Sequence, residues 1–380
     1  MNVLYGAFLG TVYTVFGADD GGRLAALVVQ AVLGAGACVL TARIADAMGR
    51  PRDGVWAGGV LAVFGPAIFY DAALITPSLL LFLGTAAVLV ATSRAATPGP
   101  HAGALLGALA GLLVLGRANH VLLLPALVAP WLSRGRSGRA AAAIAVATCA
   151  IVVAPATVRN LRVSGDFVPV SANAGMALWA GNHPGATGIY SEAEFLGNPV
   201  PEREAEDYRS EASRRAGREL GLAESSGFWV RETFREWARD PARALALGAR
   251  KLRIWLSATE SQTNLSYYFA MDWSWVLAVF RVHLGWILPL AILGLAADAR
   301  RFPVVAAPIA VSLVTCLAFY VSSEYRHPIV PCLALFAVAG ARRLGRAWRV
   351  ARAGEGALGA LGWTAALLAL LVLVNVRDPF

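Results

Sequence analysis

The densest group of reactive side chains in this 380-residue chain is Glu324-Tyr325-Arg326-His327-Pro328, which sets an acid, a phenol, a cation and an imidazole side by side. Three looser groups accompany it: Phe69-Tyr70-Asp71, Arg117-Ala118-Asn119-His120 and Arg159-Asn160-Leu161-Arg162. Three of the four contain arginine, and convergent guanidinium groups suit the oxygens of a phosphate. Each also has a plain reading, as a polar turn between helices or the wet end of one. Their setting makes them functional candidates, because each borders a long apolar run, where an ionised group is costly unless paired or wetted.

The elements that must position these groups follow from composition. The chain is 57% hydrophobic and 15% charged, with a mean hydropathy of +0.59; ordinary soluble domains are about 45–50% apolar and about 25% charged. An all-α, polytopic transmembrane helical protein is expected. The formal charge of +9 does not point to nucleic acid, since the arginines fall in short clusters between apolar runs rather than along one face. Cys38, Cys149, Cys316 and Cys332 all lie in apolar stretches without a CxxC spacing, so they read as small core residues. There is no nucleotide cradle and no H-E-x-x-H, and the five histidines are scattered. No cofactor is implied, and a divalent cation is not indicated. Lys251 is the single lysine beside abundant Ala, Gly and Arg, which fits a GC-rich bacterial genome.

A bilayer crossing takes about 20 apolar residues. Six such stretches come first: Leu24 to Ala42, Gly54 to Tyr70, Ala72 to Ser93, Ala95 to Gly116, Ala118 to Ser133 and Ala140 to Val158. Trp273 to Ala297, Phe302 to Ser323, His327 to Ala341 and Gly356 to Val376 follow, for about ten spans in all. Alternate loops carry the arginines: Arg43, Arg50, Arg52, Arg94, Arg134, Arg136 and Arg139, then Arg300, Arg301 and the cluster from Arg342 to Arg352. The opposite short loops hold only Arg117, Arg326 and the terminal Arg377. By the positive-inside rule the arginine-rich set is cytoplasmic, which places the turns at Asp71 and Glu324 and the long hydrophilic segment outside.

That segment divides the chain into an N-terminal transmembrane block (1–158), an extracytoplasmic loop with amphipathic helices (159–272) and a C-terminal transmembrane block (273–380). Asn2 to Gly17 is too short to span securely and reads as an interfacial helix with Tyr5 and Tyr13 at headgroup depth. Pro201 to Leu220 reads as a solvated helix ended by Gly221. Phe228 to Leu256 reads as two amphipathic helices lying against the membrane and broken at Asp240-Pro241.

Several motifs taken in order resemble the bacterial GT-C glycosyltransferases, in the branch of the protein O-mannosyltransferases and the lipid A aminoarabinose transferase. They are Tyr5-Gly6-Ala7-Phe8-Leu9, Phe69-Tyr70-Asp71, Arg117-Ala118-Asn119 with Leu122 to Pro125, Arg159-Asn160, Gly165 to Pro169 with Asn173-Ala174-Gly175, Gly181-Asn182-His183-Pro184-Gly185, and Tyr325-Arg326-His327-Pro328. The resemblance covers nearly the whole chain. It implies transfer of a sugar from a polyprenyl-phosphate carrier to an extracytoplasmic acceptor at the bacterial cytoplasmic membrane, with membrane lipid around it and no nucleic acid partner.

The substrate-binding set it implies is Asp71, Arg117, Asn119, Arg159, Asn173, Asn182, Lys251, Glu324, Tyr325, Arg326 and His327. Arg117, Arg159, Arg326 and Lys251 are expected on the lipid phosphate, and the others as polar lining. In such enzymes an acid in the first outer loop serves as base, and that loop would lie upstream of Asn2, so no residue of this sequence is assigned as the base. Asp19 and Asp20 stand after the surface helix instead. The expectation is a shortened version of the enzyme. Two other readings stay open, a noncatalytic lipid-carrier-binding protein and a lipid-linked sugar flippase or transporter.

Overall fold

The computed structural model describes residues 3–196, 203–261 and 265–376. Expectations that fall on Asn2, Pro201 and Arg377 lie outside the described residues. The N-terminal block contains α1 (Val3–Phe16), α2 (Asp20–Ala47), α3 (Pro51–Ala62), α4 (Gly65–Asp71), α5 (Pro77–Ser93), α6 (Pro100–Gly116), α7 (Leu123–Leu132) and α8 (Gly135–Ser164). The middle holds α9 (Ala174–Ala180), α10 (Glu204–Ala216), α11 (Leu222–Arg239), α12 (Pro241–Leu256), α13 (Tyr267–Trp273) and α14 (Trp275–Val279). Then come α15 (Leu284–Asp298), α16 (Pro303–Ala318), α17 (Ser323–Arg326), α18 (Val330–Arg352) and α19 (Ala357–Asn375). The protein is all-α; among the described residues the only extended pairing is one isolated bridge, Phe64 with Val282.

Four helical segments are long and apolar enough to cross a membrane: Asp20–Ala47, Gly135–Ser164, Ser323–Arg352 and Ala357–Asn375. The other apolar helices are 10–17 residues long. Two expected spans are broken. Gly54 to Tyr70 becomes α3 and α4, because Phe64 leaves the helix to bridge Val282, the Gly65 amide bonds the Val282 carbonyl at 2.9 Å, and Pro66 has no amide to continue the ladder. Trp273 to Ala297 becomes α14 and α15, with His283 Nδ1 accepting from the Gly285 amide at the start of α15.

One boundary moves the other way. Arg159 does not open a loop: α8 runs on to Ser164 and ends at Gly165, whose φ of 73° is the left-handed value that favours glycine. Likewise α10 is ended by Gly217 at φ 68°, while Gly221 caps the start of α11. The break at Asp240-Pro241 stands where expected, with Asp240 Oδ1 accepting from the Arg243 amide at 2.9 Å.

Close helix approach is made by small residues. Gly103, Gly107 and Gly111 recur every fourth position of α6, and a Cβ at any of them would strike α8 at Ala141, Ala145 or Val152. Gly294 of α15 faces the Phe336 carbonyl, and Gly340 of α18 faces that of Leu290. At the end of the bundle expected to be cytoplasmic, Arg50 pairs with Asp298 at 2.6 Å and Arg342 with Asp53 at 3.0 Å. Two arginines read only as topology signals therefore also fasten helices together.

The middle region carries a small apolar core of its own, including Trp179, Tyr208, Phe228 and Trp229. Trp229 is fully buried, stacks on Phe195 and donates its indole N–H to the Tyr208 carbonyl at 3.0 Å. It thus faces this core rather than a lipid surface, as does Trp255 of α12, which joins the main core.

Candidate functional site

Asp71 ends α4 and is half-buried. A chain turning between two helices at the membrane surface was expected here, yet the turn is sunk into the bundle. The Asp71 carboxylate packs against Gly34, and a Cβ there would overlap its Oδ2. Gly34 is about halfway along the 28-residue α2, roughly 21 Å from its first residue at about 1.5 Å per residue. The short helices α3, α4 and α5 produce this depth.

The turn is held by Gln30, which the sequence reading passed over. Its side chain is completely buried and Nε2 donates to the carbonyls of Ala73 at 2.8 Å, Asp71 at 3.2 Å and Tyr70 at 3.4 Å. Its Oε1 accepts from Tyr5 Oη at 2.7 Å. Tyr5 is therefore buried against α2 rather than seated at headgroup depth, because a buried amide oxygen needs a donor. The signal was available: Gln30 is the only side-chain amide in the run Leu24 to Ala42. Asp71 faces a cavity of about 520 Å³ whose remaining walls are apolar apart from the Cys38 thiol.

A second locus joins three loops. Arg117 leaves α6 in an extended conformation and its Nη2 pairs with Glu324 Oε2 of α17. Its guanidinium lies over the Tyr325 ring, 4.5 Å from the centroid. Tyr325 Oη meets Tyr320 Oη at 2.9 Å, and Tyr320 packs edge-on against Tyr190. Arg117 Nη1 is buried and has no hydrogen-bond partner among the described residues. Asn119, His120 and Tyr325 line a small adjoining cavity of about 40 Å³ with Ser312 and Thr85.

Arg326 was expected on a phosphate, and its geometry is that of a fastener. It is 2% exposed, and Nη1 donates to the carbonyls of Ser257 at 2.7 Å, Trp255 at 3.0 Å and Ile254 at 3.4 Å. Nη2 donates to the Thr259 carbonyl at 2.7 Å, and Glu260 Oε2 lies 3.6 Å away. A cation at the C-terminus of α12 satisfies carbonyls that the helix leaves open and opposes the negative end of its dipole. His327 is buried beside it, its ring 4.5 Å from that of Tyr70 and both ring nitrogens without partners among the described residues.

Lys251 is also internal. It is 1% exposed, and Nζ donates to Asn182 Oδ1 at 2.8 Å and to the Leu317 carbonyl at 3.2 Å. Asn182 Nδ2 in turn bonds the carbonyls of Leu178 at 2.7 Å and Ala318 at 2.8 Å. Burial pushes the Lys251 ammonium down to about 8. This pair ties α12 to the α9 loop and α16. Of the other expected site residues, Arg159 is exposed on the last turns of α8, and Asn173 is exposed at the start of α9. Among the described residues no group of three or more His, Cys, Asp or Glu is placed to hold a metal.

No protein-family profile matches this sequence, and no curated protein matches it. Solved structures do share its fold. The oligosaccharyltransferase of Archaeoglobus fulgidus, a GT-C glycosyltransferase solved with a tethered acceptor peptide, is similar over 98% of this chain at a TM-score of 0.51 and 13% identity. The same enzyme in the apo form gives the same score. This chain spans 45% of the length of that enzyme. ArnT from Cupriavidus metallidurans is similar over 92% of this chain and 69% of its own, at 16% identity and a TM-score of 0.32. At 13% identity what this chain and the oligosaccharyltransferase have in common is the fold.

Proposed function

We propose that this protein is a membrane glycosyltransferase that takes a sugar from a polyprenyl-phosphate carrier and passes it, on the extracytoplasmic side of a bacterial cytoplasmic membrane, to an acceptor. The observation that carries the reading is Arg117, whose buried Nη1 is left without a partner while Glu324 and Tyr325 hold the rest of the guanidinium in place. The fold shared with an oligosaccharyltransferase and the arginine asymmetry of the loops support it.

In this reading Arg117 contacts the lipid phosphate. A fixed cation at that point stabilises the negative charge that grows on the phosphate oxygen as the bond from sugar to oxygen breaks, and it does so without reorganising. Glu324 keeps the guanidinium oriented, and the polar wall of Asn119, His120 and Tyr325 receives the sugar end. Arg326 and Lys251 keep α12 seated over the site and do not touch substrate. The exposed Arg159 and Arg250 contribute a diffuse positive field, and Asn173 is a neutral, exposed polar group.

The test uses membranes from cells making the protein, incubated with radiolabelled polyprenyl-phosphate sugars. Binding that Arg117→Gln weakens, followed by label moving to an acceptor, is the expected result. Neither binding nor transfer with any donor of this class would sink the enzyme reading.

A further inference from the structure

The cavity at Asp71 is unlike the Arg117 locus in both shape and charge. One wall is a strip of α2 made of Leu27, Ala31, Ala35 and Cys38, spaced so that they share a helix face. Val28, on the same wall, and the neighbouring Val32 are 55% and 64% exposed, so this side of α2 looks outward from the bundle. In a chain of this hydropathy, outward at this depth means toward lipid. The opposite wall is Ile68, Ala72 and Leu81. The volume, about 520 Å³, lies within the range of about 300–1,000 Å³ typical of small-molecule sites.

Within it stands one carboxylate, with no cation paired to it among the described residues. It cannot easily swing away, since Gln30 pins the carbonyls of Tyr70, Asp71 and Ala73 and Gly34 receives the carboxyl without a side chain of its own. An ionisable group fixed inside the apolar part of a membrane protein beside empty space is a functional candidate by default.

We infer that this groove is the acceptor subsite, and that the acceptor is a lipid alcohol whose chain enters sideways between α2 and α4 while its free hydroxyl donates a hydrogen bond to Asp71. This rests on the sugar-transfer reading. The apolar walls require a hydrocarbon chain, and the carboxylate requires a proton donor at its end. The carboxylate also repels a phosphate, which keeps the donor lipid out of the groove and at Arg117. A hydroxyl suits an acceptor: as its oxygen bonds the sugar carbon, the bond from that carbon to the carrier phosphate oxygen breaks, the hydroxyl proton passes to the Asp71 carboxylate and the lipid phosphate leaves with its charge held at Arg117, whereas a protonated amine has no lone pair to give.

Photoreactive diazirine-bearing long-chain alcohol, the matching phosphate monoester and the matching primary amine are the probes, applied to the whole protein in nanodiscs. The alcohol is expected to label peptides within residues 27–38 or 61–81. Ala35→Trp, which fills the groove from a lipid-facing position, and Asp71→Leu should each lower labelling about tenfold, the size expected for one lost charge-assisted hydrogen bond or its steric equivalent. Unchanged melting of Ala35→Trp establishes that the loss is local; if Asp71→Leu fails to fold, Asp71→Asn read by the preference between alcohol and amine replaces it.

Labelling by the phosphate ester equal to that by the alcohol, undiminished labelling in a folded Asp71→Leu, or indifference to Ala35→Trp would each overturn the proposal. The two readings fail separately. Transfer to a lipid alcohol that persists in Ala35→Trp removes the groove and keeps the enzyme. Absence of all transfer in the unaltered protein, with the groove still labelled, removes the enzyme and keeps the site.

Discussion

Arg117 and Arg326 stand in similar sequence contexts, each at the edge of an apolar run and followed within three residues by a histidine, yet the molecule uses them differently. Arg326 has four backbone carbonyls on its two terminal nitrogens and leaves only the inner Nε without a partner. Arg117 holds one carboxylate and keeps a whole terminal nitrogen unpartnered. The first arrangement closes the C-terminus of α12; the second can accept a ligand. A cation becomes a candidate for recognition when its donors are left over, and sequence density of charge does not report that.

The comparison can be broken first at Arg326. Arg326→Leu leaves the carbonyls of Ser257 and Thr259 buried and open and the Glu260 carboxylate uncompensated, so a loss of about 3–5 kcal/mol is expected. Thermal unfolding in detergent checks it, and a variant that melts with the unaltered protein would refute the fastener role. At Arg117 the effect should appear in activity instead: Arg117→Gln is expected to lower sugar transfer about 100-fold or more, as losing an oriented charge-stabilising donor does. Its melting temperature should change far less than that of Arg326→Leu.

The sunken turn offers a smaller effect. Gln30→Leu removes the bonds to three carbonyls and to Tyr5, and should cost about 1–3 kcal/mol, read by the same melting experiment. A matching loss in Tyr5→Phe that does not add to that of Gln30→Leu would sharpen the assignment, because members of one network are not independent.

Lys251 supplies the finest test, through pH. Its ammonium is held down to about 8 by burial, below the ordinary lysine value of 10.5. Between these two values the unfolded chain binds more protons than the folded one, so this group's contribution to stability rises with pH across that window. Burying the cation is most costly below about 8 and the cost is relieved above it. Because Lys251 is the only lysine, the difference in melting temperature between the unaltered protein and Lys251→Met should grow in favour of the unaltered protein from pH 8 toward pH 10. A flat difference would contradict the assignment.

Much of the architecture was legible in the residues. Long apolar runs gave the helical transmembrane class because a bilayer leaves backbone groups no partner but each other. Asp240-Pro241 marked a helix junction through local capping chemistry alone. The broken spans at Phe64 and at Phe280 to His283 were not legible, since what breaks them is a bridge between Phe64 and Val282, residues more than two hundred positions apart. Among the site residues, Glu324 and Arg117 were singled out separately, and nothing in either stretch announced that they pair. Gln30 was visible as a lone amide in an apolar run but carried no indication of its partners.

The sequence by itself determined which stretches are apolar, where arginines bias the loops and which few charged groups sit at their edges, because those properties depend on each residue and its near neighbours. Only the tertiary structure decided which cations keep free donors and how deep Asp71 lies. Both depend on which backbone carbonyls and which empty volume happen to face a side chain, and those come from helices distant in the chain. Thus Arg326, the most conspicuous residue at the start, became a helix fastener, and Asp71, an ordinary turn residue by sequence, became the one carboxylate lining a cavity of about 520 Å³.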